Sequence, residues 1–170
     1  GNIMKKTAKI KKEEISQFFP STEKPLFTDV SYAMFTKDFL LGEGYDGYKK
    51  WLSLAGLKSK SGRLALWRKS WDCDNLSFSF RTYMNMLHAR ENTHTFTERF
   101  NKGVKNASDA EGVAVGVVFY EIQKRAHHAI NVAITTSVTG DLIPLFIEPN
   151  NGAHVNLTQK EKDSIWYVNF

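Results

Sequence analysis

The spacing of apolar residues changes character midway along the chain. From Leu76 onward the apolar positions are Leu76, Phe80, Tyr83, Met84 and Leu87, one stripe of a helix at i, i+4, i+7, i+8 and i+11. Ser70 and Asp72 are both good N-cap residues, so this helix is predicted to begin near Asp72, with Cys73 in its first turn. Upstream, "YKKWLSLAGL" puts Tyr48, Trp51, Leu52 and Ala55 on one helical face, with Gly56 as C-terminal cap. Residues 8 to 19 predict a short helix carrying Ile10, Ile15, Phe18 and Phe19, stopped by Pro20. A weaker helical pattern covers residues 28 to 41. "LGEGYDG" and "KSKSG" read as loops, and "NKGVKNASDAEG" as a polar connection.

The second half is rich in valine and isoleucine and reads as strands. "GVAVGVVFYEI", "HAINVAITTSV" and "LIPLFIEP" are three such runs. Gly140 and Asp141 supply a hairpin turn between the last two. Pro144 places part of the third run at a sheet edge or a bulge. Thr158 followed by Glu161 forms a capping box for a short helix, and "SIWYVNF" reads as another strand. Helices first and an antiparallel sheet behind them predict an α+β fold.

A chain of 170 residues is expected to form one domain over 1–170, with residues 1–12 as a basic, frayed terminus. Hydrophobic content of 42% and charged content of 24% fit a soluble globular protein. No apolar run approaches the ~20 residues that span a bilayer, so no membrane partner is expected. The single cysteine allows neither an internal disulfide nor a zinc site built from cysteine pairs, and a cytoplasmic location is the simpler reading. The net charge of +5 owes much to Lys5, Lys6, Lys9, Lys11 and Lys12. The aromatic residues do not interleave with these cations as a stacking platform would require, so nucleic acid is not the expected partner.

That one cysteine lies in "WDCDN". A lone cysteine is more often a small buried hydrophobe than a reactive group. Here, however, the start of a helix offers unpaired N–H groups and partial positive charge, both of which favour a thiolate. Arg63, Arg68 and Lys69 can add to this, while Asp72 and Asp74 oppose it. A nucleophilic thiol also needs a base. His88 is too far along the same helix, at over ~20 Å, and His94 falls in the polar connection. His127 and His128 open the second strand, where neighbours point to opposite faces. His128 shares parity with Ile130, Val132 and Ile134 and so faces the interior. Glu148, at the end of the neighbouring strand, is placed to orient its imidazole, with Asn150 and Asn151 as weaker options.

Taken together, "WDCDN", "HHAINVAI" and "LFIEP" resemble the pattern of papain-like cysteine peptidases. The resemblance is strongest to the peptidase domain at the C-terminus of certain fungal agglutinins and its bacterial and phage relatives. It covers about residues 70 to 170 and departs at His127, where that family usually has glycine. It implies a papain-like α+β fold and a cysteine hydrolase, a peptidase or amidase working through a thioester on a protein or peptide substrate. By position it makes Cys73 the catalytic nucleophile, His128 the base and Glu148 the orienter. No cofactor is implied, although some relatives depend on calcium. An oxyanion hole would draw on the Cys73 N–H and on Gln17, Trp67 or Trp71. The alternative from another class is a non-catalytic binding or effector protein that keeps this fold, of phage or bacterial origin.

Overall fold

A computed structural model describes residues 5–57, 64, 70–91, 110–123 and 126–170. In chain order the elements are β1 (Lys6–Lys11), α1 (Lys12–Ser16), β2 (Ser31–Phe35), α2 (Lys37–Leu41), α3 (Glu43–Leu54), α4 (Cys73–Glu91), β3 (Gly112–Val113), β4 (Val115–Gln123), β5 (Ala126–Thr136), β6 (Leu142–Glu148), β7 (Ala153–Val155), α5 (Gln159–Asp163) and β8 (Tyr167–Asn169). The strands form two sheets, one of order β1-β2-β3 and one of order β7-β6-β5-β4-β8.

The larger sheet follows from the alternation in the second half of the sequence. β5 pairs antiparallel with β4 and with β6, so it is central. Ile130, Val132 and Ile134 join one apolar cluster together with Phe146, Val118 and Tyr120. Ala133, Leu145, Ile147 and Val115 join a second cluster with Leu76, Phe80 and Met84 of α4. Successive strand residues point to opposite faces, so each face of the sheet buries its own core. The hairpin turn forms where it is predicted, with Gly140 at φ +86, a value that suits glycine. Pro144 pairs with Ile134 of β5, whereas β7 pairs only with Phe146 to Glu148. The proline thus sits where β6 has no second neighbour and its missing N–H leaves no gap in the ladder.

The front half departs from expectation, and with it the scheme of papain-like α+β order with helices first. Residues 6–11 form a strand rather than part of a helix over 8–19 or a frayed end. The partner responsible is β2, whose Ser31, Tyr32 and Ala33 pair with Lys11, Ile10 and Lys9. Long-range pairing overrides a weak local helical pattern, and only Lys12–Ser16 stays helical. Residues 28–41 likewise divide into β2 and the short α2. Parallel pairing of Tyr32 and Ala33 with Gly112 and Val113 then completes a sheet that joins distant parts of the chain.

"LGEGYDG" is not a loop. Its residues 43–47 form the first turns of α3. Glycine is required there by close approach, because a Cβ on Gly44 would lie 2.8 Å from the Phe39 carbonyl, and one on Gly47 would meet the Tyr83 hydroxyl. "KSKSG", Arg63, Trp67, Arg68, Lys69 and His94 lie outside the described residues. Among the described residues no helix is long and apolar enough to cross a membrane.

Phe80 is the hub of the helical core. It is fully buried, with its ring edge-on to Tyr48 at 5.2 Å and tilted against Tyr45 at 6.3 Å. Truncation by Phe80→Ala is predicted to cost about 3–5 kcal/mol in urea unfolding. A loss below about 1 kcal/mol would show that this ring is not where the core is anchored.

Candidate functional site

Cys73 is the first residue of α4, because the carbonyl of Asp72 accepts the first helical hydrogen bond, from Leu76 N–H at 3.1 Å. The Asp72 N–H in turn donates to Asn75 Oδ1 at 3.1 Å, which fixes the entry to the helix. The thiol is free and half-buried. His128 is the third residue of β5, opposite Tyr120 in the ladder, with the two rings edge to face at 5.9 Å. Glu148 ends β6, and its Oε1 accepts from His128 Nε2 at 2.7 Å. Both side chains keep about a fifth of their surface, 18% for His128 and 21% for Glu148.

Glu148 is held by the turn that follows it. Its Oε2 accepts from Asn150 N–H at 3.1 Å, and its own carbonyl accepts from Gly152 N–H at 2.8 Å. Gly152, at φ +75, lies so close to the Tyr45 ring that a Cβ would come within 2.5 Å of Cδ1. The Tyr45 hydroxyl donates to the Pro149 carbonyl at 2.8 Å. A side chain of α3 therefore braces the turn that aims Glu148.

These contacts set the charge of the imidazole. Hydrogen bonding to Cys73 is the first cause raising the His128 pKa, hydrogen bonding to Glu148 the second, and burial opposes both. The net result lifts the ring from 6.5 to about 9. Because Nε2 faces Glu148, Nδ1 is the nitrogen left for the sulfur. Tyr120 is pushed up to about 12, chiefly by burial and then by the charges of Glu161, Glu148 and Cys73.

The structure thus brings Cys73, His128 and Glu148 into one cluster, while the other candidates lie apart. His127 is exposed, with its ring edge-on to Trp166 at 5.9 Å. His88 is buried, with Nε2 at 2.6 Å from the Ala110 carbonyl and Nδ1 at 3.2 Å from Lys6 Nζ. Gln17 lines a cavity of about 270 Å³ with Phe18, Pro144 and Phe146, away from the sulfur. The Trp71 indole donates to the Leu64 carbonyl at 3.1 Å and is not available to a ligand. The Asn150 Oδ1 accepts from Leu64 N–H at 2.8 Å.

Asp72, Cys73 and Asp74 each offer one donor atom within 4.8 Å of the others. A hydrogen bond that the protonated Asp72 carboxyl donates to Asp74 is the main reason it lies above its ordinary range. One sulfur and two carboxylates fall well short of the six to eight oxygens that calcium takes. Two features of the site carry no signal in local sequence patterns: the brace from Tyr45 and the buried Asn131. Asn131 Nδ2 donates to the Ser77 carbonyl of α4 at 2.8 Å.

No protein-family model matches the chain, and no curated protein sequence matches it. Solved structures do. PSL1a, in complex with E64, aligns over 95% of this chain and 50% of its own, with TM-score 0.57 and 17% identity. Polyporus squamosus lectin, bound to the human-type influenza-binding epitope Neu5Aca2-6Galb1-4GlcNAc, aligns over 95% of this chain and 49% of its own, with TM-score 0.60 and 16% identity. The chain spans about half the length of the solved chains it matches, and at these identities the likeness is one of fold.

These neighbours overturn the identification as a papain-like peptidase. With it go the expected cysteine hydrolase function and the protein or peptide substrate. The two sheets align with about half of the Polyporus squamosus lectin chain, and the papain-like α+β scheme is not what the fold shows. The physical reason is that the three short motifs describe the surroundings of a single side-chain cluster. Clusters of this kind recur on unrelated folds, so they do not identify a fold or its activity.

The raised His128 pKa has a definite sign. The folded state favours the imidazolium, so its contribution to stability is full below about 6.5 and is lost as pH rises through about 9. Urea midpoints of the native protein are predicted to fall over that interval more than those of His128→Gln. The His128 ring protons should titrate near pH 9 by NMR. Parallel urea curves and a midpoint near 6.5 would contradict the arrangement.

Proposed function

We propose that this chain is a ligand-binding domain whose working site is the Cys73–His128–Glu148 cluster. The observation that carries this reading is that His128 Nε2 is bound to the Glu148 carboxylate at 2.7 Å while Cys73 lies close enough to be the first cause raising the imidazole pKa. Cys73 is the group that meets the ligand, His128 holds the proton it gives up, and Glu148 fixes the ring. A protonated imidazole beside sulfur is the charge that a thiolate needs.

The ligand that suits such a pair carries an electrophilic carbon. Sulfur donates an electron pair to that carbon, the ligand's π bond opens, and the proton held by His128 passes to the atom that takes up the displaced pair. The product is a stable adduct. Neither bond cleavage nor turnover belongs to this reading.

A second reading rests on a different surface. Trp166 is 53% exposed, edge-on to Phe119 at 5.3 Å, and neighbours Tyr167 and His127. An exposed aromatic shelf with a polar border suits the apolar face of a sugar ring. The glycan bound by the Polyporus squamosus lectin is the natural probe. Titration with that trisaccharide is expected to change Trp166 fluorescence, and the change should disappear in Trp166→Ala. No change at millimolar ligand would remove this second reading.

For the first, iodoacetamide is expected to alkylate Cys73 at neutral pH about tenfold faster in the native protein than in His128→Ala, with Glu148→Gln between them. Equal rates in all three proteins would remove it.

A further inference from the structure

Asn131 lies on β5 three residues beyond His128, fully buried. Its neighbours along the strand and across it are apolar: Ala133, Val117 and Ile147. An amide in that row is unusual, because a buried polar group is costly unless satisfied. Its Nδ2 is satisfied twice, donating to the Ser77 carbonyl at 2.8 Å and to the Gly116 carbonyl at 3.0 Å. Its Oδ1 has no hydrogen-bond partner among the described residues. The amide is therefore held by its donor end alone, between β4 and α4.

Ser77 is the other half of the connection. It sits one turn after Cys73, and its hydroxyl donates to the Cys73 carbonyl at 2.8 Å. Two links thus join the same pair of elements. One is the hydrogen bond from Asn131 to the Ser77 carbonyl at 2.8 Å, and the other is the approach of Cys73 to the His128 ring, which is the first cause raising the imidazole pKa. Along α4 the links are separated by four residues, or about 6 Å. Along β5 they are separated by three, or about 10 Å.

We infer that Asn131 is a positioning residue for the sulfur. Apolar packing of Leu76, Phe80 and Met84 sets how closely α4 meets the sheet, and the directional bond to Asn131 fixes its register there. A slide of a single residue moves the helix by about 1.5 Å. A shift of that size exceeds the spread of lengths over which a hydrogen bond keeps its strength. Asn131 does not touch the ligand; it acts through Ser77 and the first turn of α4. The inference rests on the reading of the cluster as a thiol site, and it names the residue that keeps the site in register.

The test compares pH profiles of iodoacetamide labelling in the native protein, His128→Ala, Asn131→Ala and Ser77→Ala, with urea unfolding measured on each. Asn131→Ala is expected to label about tenfold more slowly at neutral pH, with a profile displaced toward that of His128→Ala. Ser77→Ala, which removes only the hydroxyl link, is expected to show a smaller displacement in the same direction. A folded Asn131→Ala with the native profile overturns the inference, whatever its stability. Should Asn131→Ala fail to fold, the nearly isosteric Asn131→Leu, which also lacks the donor, takes its place, and a native profile there overturns the inference. If the native protein and His128→Ala label alike, the thiol-site reading itself has failed, a result distinct from either of these.

Discussion

β5 is buried on both faces, and that single constraint organises the molecule. Its eleven residues run between β4 and β6, and alternation divides their side chains between two cores. A slip of one residue would send Ile130, Val132 and Ile134 into the space shaped for Asn131 and Ala133. Register is therefore fixed over the whole strand. His128, near the start of β5, inherits this rigidity although it is itself partly exposed.

The site is supported from two sides by different kinds of contact. On the carboxylate side, the Tyr45 hydroxyl and ring grip the turn through Pro149 and Gly152. On the sulfur side, α4 is tied to the central strand through Asn131. Neither support is apolar packing alone. Directional bonds at these two places fix the approach of the groups, whereas the surrounding apolar clusters fix only how closely the layers meet.

What the sequence made legible was local. The cap residue before Cys73 and the position of Glu148 at a strand end depend on near neighbours, and the structure brings these residues together with His128, although the isoleucines that share its parity lie in the cluster opposite α4. What it hid was non-local. β1 exists because residues 31–35 lie beside it, and no pattern within residues 8–19 announces that partner. The glycines of residues 43–47 read as a loop because the close approach of Phe39 and Tyr83 is a tertiary fact. The role of Asn131 was hidden likewise, since its partner Ser77 lies on a distant helix. The family resemblance failed for a related reason: short motifs around one cluster carry little information about connectivity or activity.

The parallel pairing of β2 with β3 joins residues 32–33 to 112–113 across about eighty residues of chain. The β4–β5–β6 meander needs only short turns. Chain entropy separates these two events in time: hairpins can close early, but the small sheet must wait for a long loop to be closed. The thiol cluster stands between them, with its imidazole and carboxylate on the early part and its sulfur on a helix that follows β2 and precedes β3. The elements that carry it should therefore assemble in two stages, with the sulfur delivered last.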